Sequence, residues 1–118
     1  MPTAWKVPPP LEKTVQQHVK QALASLGFHV SDLSQPRRTM QTVGLPDLWA
    51  MHPRWRLALW IEVKRPGGKV SLAQSAWHQV ARDAGVHVLV VWGVADLVEG
   101  LKALGAPLGD WSQPRCSS

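Results

Sequence analysis

The segment Leu57-Ala58-Leu59-Trp60-Ile61-Glu62-Val63-Lys64 alternates in type. In an extended chain Leu57, Leu59, Ile61 and Val63 share one face, and Ala58, Trp60, Glu62 and Lys64 share the other. A carboxylate and an ammonium two residues apart on an otherwise apolar strand are costly to bury unless they are paired or used. A second carboxylate, Asp47, follows Pro46 at the start of the preceding extended segment. An antiparallel hairpin with Asp47 opposite Glu62 centres its turn between Arg54 and Trp55, one residue past Pro53, where a turn is favoured. A slip of one residue would send Asp47 to the opposite face. Two carboxylates so placed repel and raise each other's pKa. A hard divalent cation relieves this, because Mg²⁺ takes one or two carboxylates and keeps its other positions for water and substrate phosphate oxygens. Lys64 beside such a cation can orient a water, help it lose a proton, or neutralise an attacked phosphate. These parts suit phosphodiester hydrolysis, in which positioning and charge neutralisation supply most of the catalysis.

The elements that must position these groups are legible from spacing. Leu11, Val15, Val19, Leu23 and Leu26 recur every three to four residues and predict a helix over 11–26, ended by Gly27. Phe28–Leu33 reads as a strand. Ser34–Leu45 is polar and reads as a loop. Asp47–Met51 and Leu57–Lys64 are the hairpin strands, and Arg65-Pro66-Gly67-Gly68 breaks the second of them. Ser71–Ala84 reads as a helix stopped by Gly85. Val86–Trp92 is a continuous apolar run, expected of a buried central strand. Val94–Leu104 reads as a short last helix. The expected organisation is an extended tail over 1–10, one domain over 11–104 and a loose tail over 105–118. The fold class is α/β, a mixed central β-sheet flanked by helices in the order α-β-β-β-α-β-α.

Composition narrows the function. The chain has 118 residues, 45% hydrophobic and 18% charged, which suits one folded domain. A lone cysteine, Cys116, forms no internal disulfide, and no Cys/His pattern has zinc spacing. A reducing, cytoplasmic compartment, in a bacterial or phage-infected cell, is the expectation. The longest apolar run is about half of a membrane span. No Asn and no Tyr occur, which excludes nucleases that need either in catalysis. The net charge is +5, and residues 35–69 carry the whole of it. A phosphate backbone is the natural partner of that third, although a solvated basic face is the plainer reading.

Pro46-Asp47, fourteen intervening residues, then Glu62-Val63-Lys64 resembles the PD-(D/E)XK nuclease superfamily. The wider set is similar to the VRR-NUC (virus-type replication-repair nuclease) family. It comprises Gly44-Leu45-Pro46-Asp47-Leu48, Ile61-Glu62-Val63-Lys64, Leu72-Ala73-Gln74 and a helix ending at Gly85, bracketed by Glu12 and by Asp96-Leu97. The resemblance covers roughly residues 11–101 and implies a restriction-endonuclease-like fold. It implies Asp47, Glu62 and the Val63 backbone carbonyl as metal ligands, with Glu12 as a further acidic ligand on the first helix. Lys64 is implied as the catalytic lysine and Gln74 as a residue that orders the site. The implied cofactor is Mg²⁺ or Mn²⁺, with no small-molecule cofactor and no membrane. The implied activity is structure-selective DNA cleavage, foremost a homodimeric Holliday-junction resolvase. A flap or linear-DNA nuclease and a catalytically silent DNA-binding module stand as alternatives.

Rival readings accompany several residues. Glu62 and Lys64 also suit a solvated strand face. Asp47 suits a turn after proline. Glu12 suits the first turn of a helix, where a carboxylate favours the dipole. Ser71 and Gln74 form a capping-box pattern, which competes with a site role for Gln74. Arg37, Arg38, Arg65 and Lys69 are the candidate phosphate contacts. The five histidines, at 18, 29, 52, 78 and 87, show no ligand spacing and are assigned to surface or packing. Trp60 is expected in the wall of the site and Trp77 and Trp92 in the core. Trp5, Trp55 and Trp111 fall in loops or tails, where a partner subunit or DNA bases would cover some of them.

Overall fold

The computed structural model describes residues 11–34 and 44–109. Its elements are α1 (Glu12–Ser25), β1 (His29–Asp32), β2 (Leu48–His52), β3 (Leu57–Val63), α2 (Leu72–Asp83), β4 (His87–Val91) and α3 (Val94–Ala103). The order is the expected one, with ends shifted by a residue or two. The sheet runs β1-β2-β3-β4, with β1–β2 and β2–β3 antiparallel and β3–β4 parallel. The architecture is a mixed α/β sheet flanked by helices. No helix among the described residues is long and apolar enough to cross a membrane.

The sheet has two unlike faces. On one, Leu48 and Ala50 of β2, Leu59, Ile61 and Val63 of β3 and Val91 of β4 pack against Val15, Val19 and Leu23 of α1 and Leu97 and Leu101 of α3. Each fully buried aliphatic side chain here contributes roughly 1.5–3 kcal/mol. Leu11 stands outside this stripe and is exposed, because it is the N-cap position rather than a helical one. The core continues past residue 104, where a loose tail was expected: Ala106 is buried in it and Leu108 packs against it. The other face carries Trp49, Trp60 and Glu62, and α2 packs over its β4 side, with Gln74, Trp77 and His78 reaching Glu62 and Trp60.

β4 corrects the expectation of a central strand, since it is the last strand on the β3 side among the described residues. Its unbroken apolar run follows from cover on both sides. Leu89 and Val91 face the core with their register partners Ile61 and Val63, whereas Val88 and Val90 lie on the α2 side with Trp60 and Glu62.

The hairpin adopts the expected register. Leu48 lies opposite Ile61, Trp49 opposite Trp60 and His52 opposite Leu57. Arg56 closes the turn, donating its N–H to the Pro53 carbonyl at 3.2 Å and taking a left-handed φ of 54°. Trp55 needs no foreign cover. It stacks on His52 at 3.9 Å and meets the edge of Phe28 at 5.7 Å. Trp5 and Trp111 lie outside the described residues.

Candidate active site

Asp47 precedes the first residue of β2, and one further step of the hairpin register sets it opposite Glu62. The backbone explains why the two side chains meet. Lys64 donates its N–H to Val91 of β4 at 2.9 Å, so the neighbouring Val63 N–H points the other way, toward β2. There it meets the Asp47 side chain, donating to Oδ2 at 2.8 Å. Hydrogen-bonded and non-hydrogen-bonded positions alternate along an antiparallel pair, so Asp47 and Glu62 occupy a non-hydrogen-bonded position, where opposed side chains are closest. The position opposite Val63 falls on Pro46. Proline has no N–H with which to complete that pair, so the ladder stops and the Val63 carbonyl is left on the Asp47 side of the strand.

Glu62 is the centre of the cluster, with only 1% of its surface exposed. Its Oε2 accepts a hydrogen bond from Gln74 Nε2 at 2.9 Å and lies 3.8 Å from the Lys64 ammonium. Its Oε1 lies 3.5 Å from Nε2 of His78. Burial pushes the Glu62 carboxyl up to about 8, reinforced by the close, like-charged Asp47 and by the charge of Glu12, and opposed by Lys64. Burial holds the His78 imidazole below its usual range, helped by the charges of Arg82 and Lys64.

The rival roles of Gln74 are compatible. Ser71 Oγ accepts from the Gln74 backbone N–H at 3.1 Å, and Gln74 Oε1 accepts from the Ser71 N–H at 2.9 Å, which is a complete capping box. That bond engages the amide oxygen alone. The amide nitrogen of the same side chain is the donor to Glu62. Gly44 brings the two halves of the site together. It has a φ of +89°, and a Cβ there would lie 2.5 Å from the Ala73 carbonyl oxygen. The segment leading into Asp47 therefore rests directly on the first turn of α2.

The structure thus gathers Asp47, Glu62, the Val63 backbone, Lys64 and Gln74 at one place, with the Glu12 charge in reach. Glu12 also opens α1 and lines an open groove of about 510 Å³ with Lys13, Gln16, Lys20 and Asp32. That groove does not include Asp47 or Glu62, and the chemistry rather than its size marks the site. Arg65 and Lys69 are exposed in the segment after β3. Gly68 donates its N–H to the Arg65 carbonyl at 2.8 Å, and Gly67, with φ +82°, supplies the left-handed corner after Pro66. Trp92 corrects the core expectation: it is 39% exposed, and its indole N–H donates to the Gly68 carbonyl at 2.8 Å, pinning this segment. Trp77, half-buried, meets Trp60 edge-on at 5.1 Å, and Trp60 meets Trp49 at 4.8 Å. The row lies on the same sheet face as Glu62. Arg37 and Arg38 lie outside the described residues.

His78 is the residue that sequence reasoning missed. One histidine among five scattered ones carries no signal alone. Its spacing of four from Gln74, on the same face of α2, was the available clue.

Among the described residues no three His, Cys, Asp or Glu side chains already converge as a metal cage. The donors present nonetheless fit a hard divalent cation. They are oxygens, and two of them are carboxylates crowded together, where burial and Asp47 hold the Glu62 carboxyl above its usual range and a cation would offset that cost. Mg²⁺ needs no cage of protein ligands.

A family model described as the VRR-NUC domain matches residues 9–95. The chain belongs to the VRR-NUC family. Membership implies a nuclease of the PD-(D/E)XK type, with DNA as substrate, in a class that generally uses divalent metals. The observed sheet and helices are consistent with the PD-(D/E)XK-like fold of VRR-NUC domains. No curated protein is significantly similar to the chain.

Proposed function

We propose that this VRR-NUC chain is a Mg²⁺- or Mn²⁺-dependent, structure-selective DNA endonuclease, foremost a Holliday-junction resolvase acting as a homodimer. The observation that carries the reading is the pressing of buried Glu62 against Asp47 with the Lys64 ammonium 3.8 Å from Glu62 Oε2. Asp47, Glu62 and the Val63 carbonyl would hold the cation, with Glu12 as a further acidic neighbour. When bound, the cation supplies charge neutralisation at the phosphate and a lowered pKa for water.

The chain's own groups do the rest. Lys64, with its side chain 11% exposed, sets its ammonium beside the carboxylates. There it orients the attacking water and offsets charge that builds on the phosphate. Gln74 holds Oε2 of Glu62, and the Val63 N–H holds Oδ2 of Asp47, so neither carboxylate has to be ordered when substrate arrives. Attack at phosphorus leaves 5′-phosphate and 3′-hydroxyl ends. Arg37, Arg38, Arg65 and Lys69 contact the DNA backbone and set its position rather than read its bases. The family resemblance and the symmetry of the substrate support the dimer, because paired cuts in a four-way junction need two sites related by a two-fold axis.

Labelled four-way junction, flap and linear duplex, each incubated with Mg²⁺ or with chelator, test the reading. Paired cuts in the junction that require the metal are expected. Cutting of flap or linear DNA alone redirects the substrate, and binding without any cutting replaces the enzyme with a silent DNA-binding module. Light scattering on free and junction-bound protein tests the dimer.

A further inference from the structure

His78 sits on α2 one turn after Gln74, almost wholly buried, and it is not among the groups the resemblance assigns to the site. Its Nε2 and the Oε1 of Glu62 are 3.5 Å apart, and both are sealed from water with no hydrogen-bond partner among the described residues. A buried polar atom left in that state costs ~1–3 kcal/mol, so two facing one another across so short a gap are natural partners. The other carboxylate oxygen is already held, by Gln74 at 2.9 Å. We propose that His78 is a positioning residue: its ring Nε2–H fastens Oε1 of Glu62 as Gln74 fastens Oε2, so the two α2 side chains present the carboxylate to a divalent cation in one orientation.

The inference rests on the metal-dependent reading above and deepens it. A ring N–H is the part that matters. A histidine that merely fills space would be replaceable by any apolar side chain of its size. A carboxylate free to rotate would meet the cation in several orientations, and partners behind a metal ligand commonly contribute about 10–100-fold in metal affinity or activity. The requirement is also directional. A glutamine amide reaches about as far as the ring Nε2, whereas an asparagine amide reaches only about as far as Nδ1.

The full chain carrying His78→Leu, His78→Gln or His78→Asn is compared with wild type in three ways: Mn²⁺ binding by calorimetry, thermal melting in chelator, and kcat and KM for the junction in Mg²⁺. His78→Leu is expected to weaken Mn²⁺ binding about 10–100-fold and to lower kcat, with KM for DNA held and the melting temperature in chelator lowered by the oxygen left without a partner. His78→Gln is expected to recover most of the Mn²⁺ affinity, and His78→Asn little of it. Wild-type Mn²⁺ affinity in His78→Leu overturns the proposal, as does a wild-type chain that takes up no Mn²⁺. If His78→Leu does not fold, the Gln-against-Asn contrast decides, and equal affinities in those two overturn it. A chain that shows the Mn²⁺ contrast but cuts no DNA removes the nuclease reading and leaves this one standing. A chain that cuts DNA without the contrast does the reverse.

Discussion

Replacing Glu62 by glutamine should stabilise the metal-free protein at alkaline pH and do little at acid pH. Burial first, and the charge of Asp47 second, move the Glu62 carboxyl from an ordinary value of 4.5 to about 8. A group with a folded value above its unfolded one binds more protons folded than unfolded. Its ionisation therefore leaves stability untouched below about pH 4.5 and erodes it as pH rises through 8. At ~1.4 kcal/mol per pH unit, the loss is about 3 kcal/mol near pH 7 and about 5 kcal/mol once the group is ionised in the folded state. Glutamine keeps the shape and can still meet the Gln74 amide, but it has no charge to bury. For a domain of this size, 1 kcal/mol corresponds to roughly 4 °C in melting temperature, so the variant should melt on the order of 10–20 °C above wild type at high pH. The assay is thermal unfolding followed by circular dichroism, with chelator, from about pH 5 to about pH 9. The gap between the two proteins should open across that range, and Mg²⁺ should narrow it by binding the charged wild-type site. Melting curves that stay parallel at every pH would refute the claim that Glu62 is confined against Asp47 away from water.

Three further outcomes are expected. Lys64→Ala should lower the cutting rate about 10²–10⁴-fold while leaving junction affinity nearly intact, as judged by single-turnover kinetics beside a binding titration. Gly44→Ala would place a methyl 2.5 Å from the Ala73 carbonyl oxygen at a φ of +89° and should destabilise the fold by about 1–3 kcal/mol, read as a fall in denaturant midpoint. Neutralising Arg65 or Lys69 should reduce the slope of log affinity against log salt by about one each if each meets a phosphate. An unchanged slope would remove that residue from the interface.

The hairpin register was legible because two independent signals agreed, the alternation from Leu57 to Lys64 and the turn position at Pro53. The capping box was legible because it is local. The place of β4 was not, because an unbroken apolar run reports that both faces of a strand are covered and says nothing about which strands flank it. Trp55 read as a side chain in need of a partner because its neighbours Phe28 and His52 belong to other elements, and no local pattern announces that meeting. His78 was hidden for a similar reason. Its partner Glu62 is sixteen residues away, and only the packing of α2 on β3 brings them together.

The Gln74 side chain carries a consequence of its own. One end of a single amide closes the first turn of α2 and the other end grips Glu62, so helix and carboxylate rise and fall together. Fraying of that turn unfastens the carboxylate, and any event that rigidifies the turn also sharpens the site. Glutamate in place of Gln74 would serve the helix equally well and still spoil the site, because it would aim a further negative charge at Glu62 where a donor is needed. Helix propensity alone would score that exchange as harmless, whereas the position tolerates only a side chain that can give a proton at one end and take one at the other.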